Sequence, residues 1–141
     1  MFRVVFDTNV LISAILTDGK ARALLRKGIS KEFRIVTSNL ILRELGNVLR
    51  RPKFKTGEDE IHKIILALMQ AAEVVEVVSK FTLVEEDPTD DMVVETAFDG
   101  KADFVVSGDS HLLGLKIFRG IKIVSVNQML VYLEEKSMTR N

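Results

Sequence analysis

The chain has 141 residues, of which 47% are hydrophobic and 28% are charged, so its size and composition suit one globular domain with an ordinary core. No apolar run reaches the ~18 to 20 residues that span a bilayer. The sequence has no cysteine, which excludes disulfides, thiolate metal sites and cysteine nucleophiles. The N-terminal stretch has no basic region or cleavage site and is typical of a strand. We therefore expect a single cytoplasmic domain with no membrane segment.

The net charge is zero, but its distribution along the chain is uneven. Residues 1–55 carry 12 Lys/Arg and 4 Asp/Glu, whereas residues 56–141 carry 8 and 16. A basic surface that meets a polyanion is one interpretation, and solvated helix faces that differ by chance are the other. Eight cations are candidates for an RNA path, and they are Lys20, Arg22, Arg26, Lys27, Arg50, Arg51, Lys53 and Lys55.

Hydrophobic periodicity predicts strands that alternate with helices along the chain. The strands are expected at residues 2–6, 33–36, 74–78, 103–106 and 121–126. The helices are expected at residues 8–16, 20–28, 39–50, 57–72, 89–99, a short stretch after 109, and 127–136. An acidic linker at residues 85–88 precedes the fifth helix, and residues 137–141 are expected to form a frayed tail beyond a core of about residues 2–127.

This alternation favours a parallel, doubly wound sheet with helices on both faces. In such sheets, ligands bind beyond the carboxyl ends of the strands, near a switch in strand order. Asp7 directly follows the first strand and Asp109 closely follows the fourth, so both should lie at that edge. Asp91, in the first turn of the helix that leads into the fourth strand, should lie there too.

Each acidic residue also has an ordinary structural interpretation. Asp7 and Asp109 could cap the helices that follow them, and Asp91 could complement a helix dipole. Glu44, in the middle of the third helix, could be solvated or form an ion pair with Arg43 or Arg50. Joint placement at one edge is what favours a site.

Clustered carboxylates need a counter-charge. Two of them 5 Å apart repel by about 3 kcal/mol at an effective dielectric near 20. Mg²⁺ and Mn²⁺ prefer oxygen ligands, keep waters that phosphate can replace, and support in-line phosphoryl displacement. The acids therefore predict a divalent-metal centre acting on phosphate esters.

Four segments, in order along residues 2–127, together resemble the PIN-domain family. They are Asp7-Thr8-Asn9-Val10-Leu11-Ile12-Ser13, Ser38-Asn39-Leu40-Ile41-Leu42-Arg43-Glu44-Leu45, Asp87-Pro88-Thr89-Asp90-Asp91-Met92, and Ala102-Asp103-Phe104-Val105-Val106-Ser107-Gly108-Asp109. The resemblance implies a three-layer α/β/α fold around a central, mainly parallel five-stranded sheet. It also implies a Mg²⁺- or Mn²⁺-dependent endoribonuclease, similar to the single-domain VapC-like toxins that cleave RNA, form homodimers and are neutralised by a small antitoxin.

The resemblance also assigns roles to individual residues. Asp7, Glu44, Asp91 and Asp109 match the family's acidic quartet, which implies that they are both catalytic and metal-binding. Asn9 matches a polar position that supports the site, and Ser107 matches a Ser/Thr near the last acid. Asp90 competes with Asp91 for the third position, and Asp91 is preferred because it directly precedes the apolar helix face.

Two other functions compete with the nuclease. A phosphatase with an aspartyl nucleophile would use Asp7, but Asn9 stands where its second Asp is needed. A PIN-like module that binds RNA or a protein partner without catalysis is the other alternative, and metal binding would separate it from the enzyme.

Overall fold

The computed structural model describes residues 1–82 and 88–139, with residues 88–90 described by their backbone alone. In this part of the chain, seven α-helices surround one six-stranded sheet. The strands are β1 Arg3–Phe6, β2 Arg34–Ser38, β3 Glu73–Val75, β4 Phe104–Val106, β5 Ile117–Phe118 and β6 Ile121–Val124. The helices are α1 Thr8–Leu16, α2 Lys20–Ile29, α3 Asn39–Leu49, α4 Glu58–Ala71, α5 Pro88–Asp99, α6 Ser110–Leu115 and α7 Val126–Thr139. None of the described helices is long and apolar enough to cross a membrane.

The strand order is β3-β2-β1-β4-β6-β5, and every neighbouring pair is parallel except β5 with β6. The chain builds outward from β1 through β2 to β3, and then returns to the other side of β1 with β4. The strand order therefore reverses between β1 and β4. Ligand sites in open α/β sheets form at the carboxyl ends of the strands beside this kind of switch.

Central strands are buried on both faces, which accounts for their continuous apolar sequences. Val4 and Val5 of β1, Val36 of β2 and Val106 of β4 are almost completely inaccessible to solvent. Helix α5 packs closely against this layer at Gly100, where an added Cβ would lie 2.6 Å from Val36 Cγ1 and 2.9 Å from the carbonyl oxygen of Thr96. The rigid layer fixes the strand ends that carry the acids.

The predicted α/β/α architecture is confirmed, but the count of five strands is wrong because the described residues form six. The added strand, β5, pairs antiparallel with β6 across the tight turn Arg119-Gly120. Both turn residues have positive φ, 47° and 85°, and such a conformation is unusual for arginine. The Arg119 guanidinium lies 5.0 to 5.4 Å from the ring centroids of Phe81, Phe98 and Phe118, and these cation–π contacts stabilise the turn.

Two other predicted segments differ from the structure. Helix α7 continues to Thr139, so residues 137–139 are helical and not part of a frayed tail. The acidic linker predicted at residues 85–88 lies largely outside the described residues.

Side chains of α5 hold the segment that leaves β3. Asp99 accepts hydrogen bonds from the backbone N–H groups of Val78 (2.7 Å) and Ser79 (2.8 Å) and from the Ser79 hydroxyl (2.6 Å). Glu95 accepts one from the N–H of Phe81 at 2.8 Å. Although partial burial acts in the opposite direction, the bonds from Ser79 and Val78 hold the pKa of Asp99 below its ordinary value. The chain that leads towards Asp91 is thereby tied to the helix that carries Asp91.

Candidate functional site

Asp7 stands at the end of β1, where its backbone N–H donates to the carbonyl of Val106 in β4 at 2.9 Å. The residue occupies the N-cap position of α1, but within the described chain its carboxylate makes no capping hydrogen bond. It is only 5% exposed. A buried carboxylate that does not cap its own helix requires another explanation, because burying an ionised group costs free energy.

Ser107 connects Asp7 to Asp109. The Ser107 side chain is fully buried, and its hydroxyl donates to Asp7 Oδ2 at 2.7 Å while accepting from the Asp109 backbone N–H at 3.0 Å. Its own N–H donates to the carbonyl of Val124 in β6 at 2.9 Å. One hydroxyl thus fixes the end of β1 against the end of β4, and β6 holds that hydroxyl in place.

Asp109 caps α6, which confirms the expectation that this residue could cap the helix that follows it. Its Oδ1 accepts from the backbone N–H groups of His111 at 2.8 Å and Leu112 at 3.3 Å. The side chain is half-buried. A carboxylate offers about four lone-pair sites on two oxygens, and both capping bonds go to one oxygen. Asp109 can therefore cap the helix and still offer Oδ2 to a cation.

The electrostatics of Asp7 reflect this environment. Burial raises the pKa of Asp7, and the negative charge of Asp109 adds to the rise. The Ser107 hydrogen bond, together with the nearby N–H groups of Thr8 and Asn9, lowers the pKa and partly offsets the burial. The two N–H groups act through their dipoles, because they lack the geometry of a capping hydrogen bond. Ionised Asp7 therefore lacks a full counter-charge from the protein.

The other two candidate acids lie on neighbouring helices. Asp91 is buried in the first turn of α5, and Glu44 is half-buried on α3. A hydrogen bond of 2.8 Å joins the hydroxyls of Ser38, which caps α3, and Thr96 of α5. Glu44 is five residues past the start of α3, about 8 Å along the helix axis.

The structure thus brings Asp7, Ser107 and Asp109 into one hydrogen-bonded cluster, with Asp91 and Glu44 on the two helices linked by Ser38 and Thr96. Asn9 is exposed on the first turn of α1. The side chain of Asp90 lies outside the described residues. Across the described chain, no three Asp, Glu or His side chains gather closely enough to hold a metal ion as they stand.

The cluster fits a hard divalent cation by its chemistry. Two carboxylates and a hydroxyl supply oxygen donors alone, the type that Mg²⁺ and Mn²⁺ prefer. The raised pKa of Asp7 marks a site where added positive charge is favourable. Asp7 and Asp109 are therefore suitable ligands for such an ion.

Other residues beside the site, which the sequence analysis did not single out, lie where β6 leads into α7. Ser125 and Asn127 line a groove that also reaches Ser107 and Gly108. The signal was the spacing Ser125-x-x-Gln128, a capping-box pattern that marks a helix start after a strand. The Gln128 side chain accepts from the Ser125 N–H at 2.9 Å, and the Ser125 hydroxyl accepts from the Gln128 N–H at 3.1 Å.

The fold is an open, mainly parallel α/β sheet with acids at its carboxyl edge, and a sequence comparison identifies the family. Residues 3–111, which include all four candidate acids, match the PIN domain. The chain belongs to the PIN-domain family, whose members are generally nucleases. Among curated proteins, no sequence matches the chain.

Solved structures of other proteins share this fold. The crystal structure of PAE2754 from Pyrobaculum aerophilum superposes with a TM-score of 0.64 at 17% identity, over 96% of this chain and 90% of that one. The crystal structure of VapBC2 from Rickettsia felis, bound to a DNA fragment from its promoter, gives a TM-score of 0.63 at 15% identity, over 88% of this chain and 98% of that one.

Proposed function

We propose that this PIN-domain protein is a divalent-metal-dependent endoribonuclease that hydrolyses RNA phosphodiester bonds. The observation that carries the proposal is the Asp7–Ser107–Asp109 cluster at the switch in strand order. Asp7 is buried there, is held by Ser107 and has a raised pKa. Such perturbed acids at a sheet edge are typical of functional sites.

Asp7 and Asp109 would hold the cation, Mg²⁺ or Mn²⁺, and Asp91 and Glu44 would complete the acidic set. When bound, the ion would supply a water of lowered pKa and positive charge beside the phosphate. Ser107 favours the ionised form of Asp7 by donating to it, and it also fixes the direction of the carboxylate. The α6 N-terminus fixes Asp109 in the same way through its cap.

RNA cleavage with matched variants tests this function. We expect the purified full chain to cut labelled RNA with Mg²⁺ or Mn²⁺ and to stop in EDTA. Asp109→Asn should lower the rate by about 10²-fold or more, the size typical of losing one key electrostatic group. Asp18→Asn, an exposed acid in the α1–α2 turn, serves as the control and should retain the wild-type rate. Cleavage that persists in EDTA, or that is unaffected by Asp109→Asn, would refute the proposal.

One observation favours a second candidate. Because the described acids do not gather into a group of three, the chain could also be a PIN-like module that binds RNA or a protein without cutting. Such a module would retain RNA in a filter-binding assay without Mn²⁺ affinity and without cleavage products, whereas the enzyme shows both.

We further propose that the protein is a toxin paired with a small antitoxin, acting as a homodimer in the cytoplasm. The VapBC2 structure supports this proposal through its fold. Induced expression in a bacterium should arrest growth, and the Asp109→Asn variant should not. Equal growth of the two strains at equal expression would contradict the toxin role.

A further inference from the structure

A surface groove of about 470 Å³ opens beside the acidic cluster. It is lined by residues from α1, from the start of α2 and from the start of α7, together with Ser107 and Gly108. Its volume falls within the ~300 to 1,000 Å³ typical of small-molecule sites. Ser107, the residue that positions Asp7, is therefore also one of the residues that line a ligand-sized groove.

The lining has the chemistry of a nucleotide site. Its polar residues are Asn9, Ser13, Lys20, Ser107, Ser125 and Asn127. The Ser107 hydroxyl is buried and already bonded to Asp7, which leaves two side-chain amides, two hydroxyls and one cation for a ligand, and no carboxylate lines the described groove. Amides hydrogen-bond the edges of bases, and a lysine contacts phosphate. The groove has no aromatic lining among the described residues, so a base would be held by its edge and not by stacking.

The start of α7 presents its groove residues from a fixed position. The reciprocal bonds between Ser125 and Gln128 lock the first turn of the helix. Asn127 lies within that turn and its side chain is exposed. The Ser125 hydroxyl accepts one hydrogen bond and retains its own proton to donate. Sites on locked helix ends hold their polar groups more precisely than sites on loops.

We propose that this groove is a nucleotide subsite, which binds the nucleotide next to the scissile phosphate of the RNA and selects its base through Asn127. Asn9 faces the same ligand from α1, and Lys20 contacts its phosphate. The inference deepens the proposed ribonuclease function and rests on it, because the subsite adjoins Ser107 and hence Asp7.

Nucleotide binding without metal tests the subsite. The full chain in EDTA is titrated with the four ribonucleoside 5′-monophosphates, followed by amide chemical shifts. We expect binding at the groove with a preference among the four bases. Asn127→Ala should lower the affinity for the preferred nucleotide by about 10-fold, as expected for a lost base-edge contact, and should reduce the preference among the four bases. Lys20→Ala should lower the affinity for all four nucleotides to a similar degree.

Control variants separate groove effects from folding effects. Lys63→Ala, at an exposed lysine on α4, should leave binding unchanged. At Gly108 an added Cβ would meet no atom within 4 Å and φ is not positive, so Gly108→Leu should fold and block binding. Gly57 has equal space outside the groove, and Gly57→Leu should bind as wild type.

The outcomes distinguish this inference from the proposed function. No binding by any of the four nucleotides, or binding that Asn127→Ala, Lys20→Ala and Gly108→Leu all leave unchanged, would overturn the subsite, even if RNA is still cleaved. Binding that follows the expected pattern supports the subsite even if the chain never cleaves RNA, in which case only the nuclease proposal fails.

Discussion

Replacing Asp7 with asparagine should stabilise the fold while removing activity. Asp7 is 5% exposed and its pKa is raised by burial, with Asp109 adding to the rise. Ser107 joins the Asp7 carboxylate to the Asp109 backbone, and the Asp109 charge acts against ionised Asp7. Two carboxylates about 6 Å apart repel by about 3 kcal/mol at an effective dielectric near 20, which sets the scale of this repulsion. Asparagine removes this repulsion and can still accept from Ser107.

The net gain should be smaller than that repulsion, because Asp109 is half-exposed and water screens its charge. We expect Asp7→Asn to raise the free energy of unfolding by about 1 kcal/mol, within the range of stabilising substitutions at functional sites. This gain corresponds to a rise in Tm of about 4 °C for a domain of this size. Asp18→Asn, at an exposed acid, should change neither quantity.

The pH dependence of stability should reveal the charge on Asp7. Because the folded-state pKa of Asp7 is raised, its destabilising effect is fully present above that pKa and disappears as the pH falls through it. Urea unfolding in EDTA should therefore show the largest difference between Asp7→Asn and wild type at pH 7, and a smaller one in acid. An Asp7→Asn variant that is less stable than wild type at pH 7 would refute the reasoning.

Three further substitutions test the framework around the site. Gly100→Ala should lower the free energy of unfolding by about 1 to 3 kcal/mol through overpacking. Gly114→Ala is the control, because an added Cβ there meets open space, and it should not lower the stability. Equal urea midpoints for the two variants would contradict this packing. Ser38→Ala should lower the free energy of unfolding by about 1 to 2 kcal/mol, because α3 loses its cap and Thr96 loses a hydrogen-bond partner. Ser38→Thr, which keeps a hydroxyl, should recover part of that stability. A Ser38→Ala unfolding curve that matches wild type would contradict the role of the Ser38–Thr96 bond. Asp99→Asn should reduce the loss of unfolding free energy between pH 7 and pH 3. The lowered pKa of folded Asp99 stabilises the fold at pH values above the pKa of the unfolded chain, and this stabilisation is lost as the pH falls through the folded-state pKa. An Asp99→Asn variant with the same pH dependence of stability as wild type would contradict this.

The sheet edge could be predicted because its signals are local. Apolar runs mark β1 and β4, Asp7 directly follows β1, and Asp109 stands three residues after the end of β4. The α1 helix begins and ends as expected, at Thr8 and Leu16. The alternation of strands and helices predicts parallel strands and hence both acids at one edge of the sheet, whereas the adjacency of β1 and β4 is known only from the structure.

The remaining differences arise from tertiary contacts. The third strand was expected at residues 74–78 and ends at Val75, because Asp99 binds the N–H groups of Val78 and Ser79. The edge strand β5 depends on a turn at Arg119 that distant aromatic rings stabilise.

The candidate site could be predicted only in part from the sequence. The connection through Ser107 is a contact between residues 100 positions apart, and the groove brings together residues of α1, α2 and α7 that are distant in the sequence. The role of Glu44 rests on the family resemblance, because a half-buried glutamate within a helix gives no signal of its own. Its contribution to the site therefore stays a prediction, as do those of Asp91 and Asn9.

Mn²⁺ binding by isothermal titration calorimetry tests the central claim most directly, because it asks whether the acids at the sheet edge form one cation site. We predict a saturable site in the wild-type chain, weakened by about 10-fold or more in Asp109→Asn and in Asp91→Asn, since each change removes a ligand or its charge. Asp18→Asn should bind as wild type. A wild-type chain that binds no Mn²⁺, or an Asp109→Asn variant with undiminished affinity, would contradict the metal centre.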